Sequence, residues 1–290
     1  MAQAIDMSAI EQALNGFTIP PQPEILQHIQ QQLDAPEPNI KRIAALINLD
    51  IGIAGFTLKV VNSAFFGLRR KITSVEHACK FLGVNRVIKL VRSVLLRFTL
   101  AEGQNDKFSL KLWASALQTA NIAMTLAKHF NFSQEVQDDC YSLGLFHNAG
   151  IALIHQQAPQ YEQLMQQGLL AQRGCSEIEE QHFATCHEVL GYLIAESWGL
   201  TPTLYNVIAY HHSPTLMLES DSELEKQLFA LLKLAEHFSG ESRQLFEISL
   251  DPEWEQHKGA ILEVLDIEPL QLPELAELLH RQQISTIYSV

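Results

Sequence analysis

Along most of the chain, apolar residues recur three and four positions apart, and alternating stretches of the kind that mark strands are weak. The pattern predicts an all-α protein. Pro20, Pro21 and Pro23 restrict the backbone ahead of a first helix over 24–33, whose apolar face is Ile25, Leu26, Ile29 and Leu33. Pro36 and Pro38 end it. Asn39 is placed to cap a helix over 40–48 with Ile43, Ala44 and Ile47 inward, and Asp50 to cap another from Ile51 towards Val61. The stretch 61–68, with Phe65 and Phe66 beside Gly67, interrupts the pattern like an aromatic plug in a turn. Thr73 followed by Glu76 reads as a capping box for the next helix, with Gly83 as its stop. Asn85 then suits the cap of a helix over 86–101, which interleaves Val87, Ile88, Val91, Leu95 and Phe98 with Arg86, Lys89, Arg92 and Arg97.

The polar stretch Gly103 to Lys107 is the expected boundary between two helical subdomains. A long helix over 110–130 follows, and Ser133 starts one that runs on to about Gly150. Further helices are expected over 159–172, then from a capping box at Ser176 and Glu179 through His182 and His187, and from Thr201-Pro202 to Tyr210. Acidic helices over 222–239, 254–265 and 273–282 complete the series. The resulting division is an N-terminal extension over 1–16, a domain over 17–214 made of subdomains 17–102 and 107–214, and an acidic segment over 215–290 that completes the second bundle.

Composition narrows the function. With 47% hydrophobic and 18% charged residues, a chain of 290 residues has material for a large core. The net charge of −13 speaks against whole-surface nucleic-acid binding. Charge is nonetheless unevenly spread: eleven basic and two acidic residues between Lys41 and Arg97 give that segment +9 and leave −22 for the rest. The basic helix over 86–101 raises a helix-turn-helix DNA reader, but base-reading residues are not recognisable, so a nucleic-acid partner is not expected. No apolar run approaches a membrane span, and the start has neither the basic nor the apolar region of a signal peptide. Cys79, Cys140, Cys175 and Cys186 form no C-x-x-C pair and read as reduced thiols. A cytoplasmic protein without a membrane partner is expected.

The chemistry centres on residues 143–153. There an apolar run carries one adjacent polar pair, His147 and Asn148, which burial obliges to find partners. Among twelve histidines, His187 and the pair His211-His212 sit in comparable contexts. Imidazoles from several helices can converge on a metal, but a two-metal hydrolase site also wants bridging carboxylates, and Asn148 supplies no charge. Phosphate-loop, dinucleotide-binding and serine-hydrolase motifs are absent from the chain.

Residues 19–26, Ile-Pro-Pro-Gln-Pro-Glu-Ile-Leu, and the run Val60-Val61-Asn62-Ser63-Ala64-Phe65-Phe66-Gly67 resemble the HDOD domain, the HD-related output domain of bacterial signalling proteins. Ile72 to Ala78, Phe81-Leu82-Gly83 and Tyr210-His211-His212 continue the resemblance in order, over about Phe17 to Pro214. The family is related to HD-domain metal-dependent phosphohydrolases, which use a His, a His-Asp pair, further histidines and a late Asp. Carried over by position, the first His falls at Ala114, the pair is His147-Asn148, the later histidines are His187, His211 and His212, and the late Asp is Glu236. The resemblance therefore implies a signalling output or scaffold module without catalysis. No cofactor is expected, or at most one divalent metal ion on His147, His187, His211, His212 and Glu236. It also points to a signalling protein partner or a small anionic ligand. Asn62, Ser63, Phe65, Phe66, Arg69, Arg70 and Lys71 are the candidate contacts, because an aromatic turn beside a basic cluster offers both apolar and electrostatic contacts. The alternative is an active phosphohydrolase acting on nucleotides or cyclic dinucleotides.

Overall fold

The structure, a computed structural model, describes residues 7–282 and 284 apart from 64, 65, 67, 69 and 105, and the described residues contain helices and no strand. The all-α expectation holds. The chain divides into two compact units, one of Pro21–Glu102 and one of Met1–Pro20 with Gly103–Val290. Among the described residues, 7–20 thus group with the larger unit.

The smaller unit holds α2 (Glu24–Leu33), α3 (Ile40–Ile47), α4 (Ile51–Val61), α5 (Val75–Leu82) and α6 (Val84–Ala101). Asn39 and Asp50 cap α3 and α4 as expected, accepting from the amides of Arg42 and Ile53. The cap of α5 is Ser74, not Thr73: the Ser74 hydroxyl accepts from the His77 amide at 3.2 Å. Gly83, at φ +89°, both ends α5 and starts α6, so Asn85 lies inside α6 instead of capping it. A residue without Cβ adopts that backbone freely, so one glycine joins two helices with no linker.

Asn62 fastens the loop after α4. Its Nδ2 donates to the carbonyls of Leu58 and Ile72 at 2.7 and 2.8 Å, and its Oδ1 accepts from the Ile72 amide at 2.7 Å. The side chain is therefore spent on holding the loop across ten residues.

The larger unit begins with α1 (Met7–Gly16). It continues with α7 (Lys107–His129), α8 (Gln134–Phe146), α9 (Ala149–Gln157), α10 (Tyr161–Leu170), α11 (Cys175–Phe183), α12 (His187–Ser197) and α13 (Pro202–Ala209). The short α14 (Pro214–Leu218) leads into α15 (Glu223–Ser239), α16 (Glu241–Phe246), α17 (Pro252–Val264) and α18 (Leu272–Arg281). The long α7 packs along α8 and α15. The close approach of α7 and α8 needs Gly144, because a Cβ there would lie 2.4 Å from the Ala120 Cα. α15 carries a nearly continuous buried run, Leu228 to Leu232, Leu234 and Ala235. Among the described residues, no single helix is long and apolar enough to cross a membrane.

Two breaks depart from the expected helices, and both fall on polar residues. α8 ends at Phe146 and α9 starts at Ala149, so His147 and Asn148 form a corner and not the middle of one helix. α11 and α12 are separated at Ala184, φ +56°, so His182 and His187 lie on different helices and His187 opens the second. Ser176 is inside α11, and its hydroxyl bonds to Glu188 rather than capping the helix. Polar side chains that must reach one another across a core are delivered by corners, where the backbone is free to turn.

Candidate functional site

The corners converge within the larger unit. His147 follows α8, His187 opens α12, His211 and His212 follow α13, and Glu236 lies on α15. His147, His187 and His211 are buried to within 1% of full burial. The rings of His211 and His212 are 4.3 Å apart at their centres, those of His187 and His211 5.0 Å, and those of His147 and His211 5.5 Å. All five residues expected to be metal ligands therefore come together.

Each imidazole has a definite partner. His187 Nδ1 donates to Glu179 Oε2 at 2.8 Å, and the same oxygen accepts the His187 amide at 2.7 Å. Burial alone would lower the His187 pKa, but the Glu179 and Glu188 carboxylates outweigh it and raise the value to about 9. His187 is thus an imidazolium, and its Nε2 donates to His211 Nε2 at 3.1 Å. His211 is neutral: burial and the neighbouring His212 and His187 hold its pKa well below the ordinary value. Its own Nδ1 donates to the Ile208 carbonyl at 2.7 Å.

Four residues that the sequence pattern did not place at the site complete the centre. Glu241, the first residue of α16, accepts from His147 Nε2 at 3.1 Å, Asn148 Nδ2 at 2.7 Å and Thr119 Oγ1 at 3.2 Å. Burial pushes the Glu241 carboxyl up, but His147 and the Asn148 amide outweigh it and hold it at about 2. His147 is raised in turn: burial opposes its charge and Glu241 more than compensates. Lys233, on α15 one turn before Glu236, is buried with its Nζ 2.9 Å from Glu236 Oε2 and 2.6 Å from Glu253 Oε1. Glu253 Oε2 also accepts from His212 Nδ1 at 2.9 Å. Glu179 orients His187 and accepts the Tyr161 hydroxyl. One sequence signal was available for Lys233: it is the lone charge in the apolar run from Leu228 to Ala235.

Ala114, where the resemblance placed the missing first histidine, is exposed and outside the centre. The face of α7 that points inward carries Ser115 and, four residues on, Thr119, both buried. From that inward face Thr119 contributes a hydroxyl to Glu241.

Over the centre lies a cavity of about 290 Å³ whose walls include Asn148, His187, His212, Glu236, Glu241 and Glu253, with Tyr161, Met165 and Phe246 on its apolar side. That volume suits a small molecule or a short side chain.

Three groups have donor atoms within 4.8 Å of one another: His187, His211 and His212; His147, Glu236 and Glu241; and Glu179, His187 and Glu188. Their spacing suits a metal, but their hydrogen-bond partners do not suit the dinuclear centre of a metal-dependent phosphohydrolase. Such a centre needs a carboxylate bridge at the residue after His147. Asn148 instead turns an N–H towards Glu241. It also needs carboxylate charge to offset the cations, and here the Lys233 ammonium already sits against both Glu236 and Glu253. Against this, Glu236 Oε1 and Glu188 Oε2 are buried without a hydrogen-bond partner in the protein, so the network is not fully closed.

The candidate contact residues belong to the smaller unit. Phe65 and Arg69 lie outside the described residues. Phe66 is half-buried, with the Arg86 guanidinium 4.7 Å from its ring centre. Arg70 and Lys71 are exposed, Ser63 is half-buried, and Asn62 is the loop clamp described above.

The larger unit is thus an all-helical bundle with a buried histidine–carboxylate centre at its helix corners. More narrowly, the chain belongs to the HDOD domain family, which matches residues 19–214. A crystal structure of an HDOD domain protein of unknown function from Geobacter sulfurreducens superposes with a TM-score of 0.69 at 21% identity, covering 96% of this chain and 95% of that one. A protein from Shewanella amazonensis SB2B, provisionally called a phosphohydrolase, gives 0.66 at 18% identity, covering 96% of both chains. At these identities the likeness concerns the fold. An uncharacterized protein from Treponema pallidum is 28% identical over 197 residues, 67% of this chain, and the chain spans 38% of that relative's length.

Proposed function

We propose that this chain is a non-catalytic signal-transduction output module, a scaffold that keeps an HD-type centre as a metal-free polar core and acts by binding a protein partner. One observation carries the non-catalytic reading: the Lys233 ammonium lies between Glu236 and Glu253, where a hydrolase would need free carboxylates facing a cation. His147 Nε2 and Asn148 Nδ2 spend their remaining capacity on Glu241. His147, His187 and Lys233 each face a carboxylate of the protein itself.

The partner face is assigned to the smaller unit. Exposed Arg70 and Lys71, with Ser63 and Phe66 beside them in the sequence, combine positive charge with an aromatic ring, a surface suited to an acidic protein or a small anion. The segment from Lys41 to Arg97 carries the chain's excess of positive charge.

The competing reading, a metal-dependent phosphohydrolase acting on nucleotides or cyclic dinucleotides, separates cleanly. The full chain, supplied in turn with Mn²⁺, Fe²⁺, Ni²⁺ and Zn²⁺, is expected to leave bis-p-nitrophenyl phosphate, nucleoside phosphates and cyclic dinucleotides uncleaved. Metal-dependent turnover that disappears in His147→Ala would overturn the scaffold reading.

A further inference from the structure

Lys233 is an unusual residue to find in the middle of a core helix. Its side chain is 6% exposed, and its neighbours Leu232 and Leu234 are wholly buried. A lysine stem can often carry its ammonium out to water; this one carries it inward, to two carboxylates from different helices. Glu236 comes from α15 itself and Glu253 from the first turn of α17. The second oxygen of Glu253 holds His212, which joins the ammonium to the histidine group. A positive point surrounded by carboxylates, with an imidazole behind one of them, is the electrostatic arrangement of a bound divalent cation.

We propose that Lys233 occupies the place of a divalent cation in this centre, and that removing its charge while keeping its stem converts the centre into a site for one divalent transition-metal ion. The inference rests on the metal-free reading above. The distances make the exchange feasible. The two oxygens lie 2.9 and 2.6 Å from Nζ. Metal–oxygen bonds of about 2.0–2.2 Å require each carboxylate to move inward by less than about 1 Å. His212 and the unpartnered Glu236 Oε1 stand next to that point as further donors. Without Lys233, the buried carboxylate of Glu236 and the half-buried one of Glu253 lose their shared counter-charge, and a cation is the group that restores it. The lysine therefore serves two ends: it stabilises the carboxylates and it keeps metals out.

The test compares the full chain with Lys233→Met, which has a stem of similar length and no charge, and with Lys233→Arg, which keeps the charge. Mn²⁺ binding is followed by electron paramagnetic resonance and calorimetry. Lys233→Met is expected to bind one Mn²⁺ at least tenfold more tightly than the unaltered chain and to gain thermal stability with Mn²⁺. Lys233→Arg is expected to resemble the unaltered chain. Adding Glu253→Gln to Lys233→Met is expected to abolish the gain. If Lys233→Met is unfolded without metal, recovery of its helical circular dichroism by Mn²⁺ supports the assignment, and failure to recover overturns it. A folded Lys233→Met with no gain in Mn²⁺ affinity overturns this inference alone. Tight Mn²⁺ binding by the unaltered chain overturns both this inference and the metal-free reading on which it rests.

Discussion

Glu241→Ala is expected to destabilise the larger unit by about 3 kcal/mol or more, the range found when one partner of a buried charged pair is removed. Among the described residues, Glu241 is the hydrogen-bond acceptor of His147 Nε2, and it also accepts from Asn148 and Thr119. Its loss takes that acceptor from His147 and Asn148, while the Thr119 hydroxyl keeps Ser239 Oγ at 3.1 Å. Water entering through the cavity that Glu241 lines, and loss of the His147 proton, limit the cost from above. Glu241→Gln keeps one acceptor oxygen and is expected to cost about half as much. Urea unfolding followed by circular dichroism measures both, and a cost below about 1 kcal/mol for Glu241→Ala would show that the carboxylate does not hold the centre together. A pH signature accompanies the change. The folded pKa of Glu241, about 2, lies below its ordinary carboxylate value. Its contribution is present above the unfolded pKa and is lost as pH falls through the folded one, so the stability of the unaltered chain should drop across that acid range. Glu241→Ala is expected to show a shallower acid limb.

Gly150→Ala is expected to be comparably damaging for a different reason. A Cβ at Gly150 would lie 2.1 Å from the His187 carbonyl oxygen and 2.9 Å from the His187 Cα. Both obstacles are backbone, so neither can rotate away. Relief requires α9 and α12 to separate where they cross, and this moves His187 against Glu179 and His211. Overpacking of this kind costs typically 1–3 kcal/mol and more where backbone must move, so about 3 kcal/mol is expected. Gly259 is the control. It lies inside α17 with nothing within 4 Å of a built Cβ. Gly259→Ala should therefore be neutral or stabilise by up to about 1 kcal/mol through helix propensity. Equal melting temperatures for Gly150→Ala and the unaltered chain would contradict the close approach of α9 and α12.

Much of this was legible in the sequence because local chemistry acts over a turn or two. Asn39 and Asp50 cap the helices that their spacing assigns to them, and Ser133 starts its helix as expected. The four histidines and Glu236 do converge. Periodicity failed where a helix stops inside an apolar run. Nothing local distinguishes the corner at His147-Asn148 from a buried helical turn, because the break is enforced by the contacts of those side chains across the core. The same limit hid Glu241 and Glu253. They look like ordinary first-turn acidic residues of α16 and α17, and only the packing of those helices brings them to the centre. On α7, successive residues are turned by about 100°, so Ala114 faces solvent while Ser115 and Thr119 face inward.

On the proposed function, the histidine–carboxylate centre is held by its own lysine, imidazolium and amide groups instead of a metal. The most direct measurement is the metal content of the full chain, purified without chelator from cells supplied with Fe, Mn, Ni and Zn, by elemental mass spectrometry against protein concentration. The expected result is no transition metal above background, with His147→Ala indistinguishable from the unaltered chain. One equivalent of a transition metal in the unaltered chain, lost on His147→Ala, would contradict the claim.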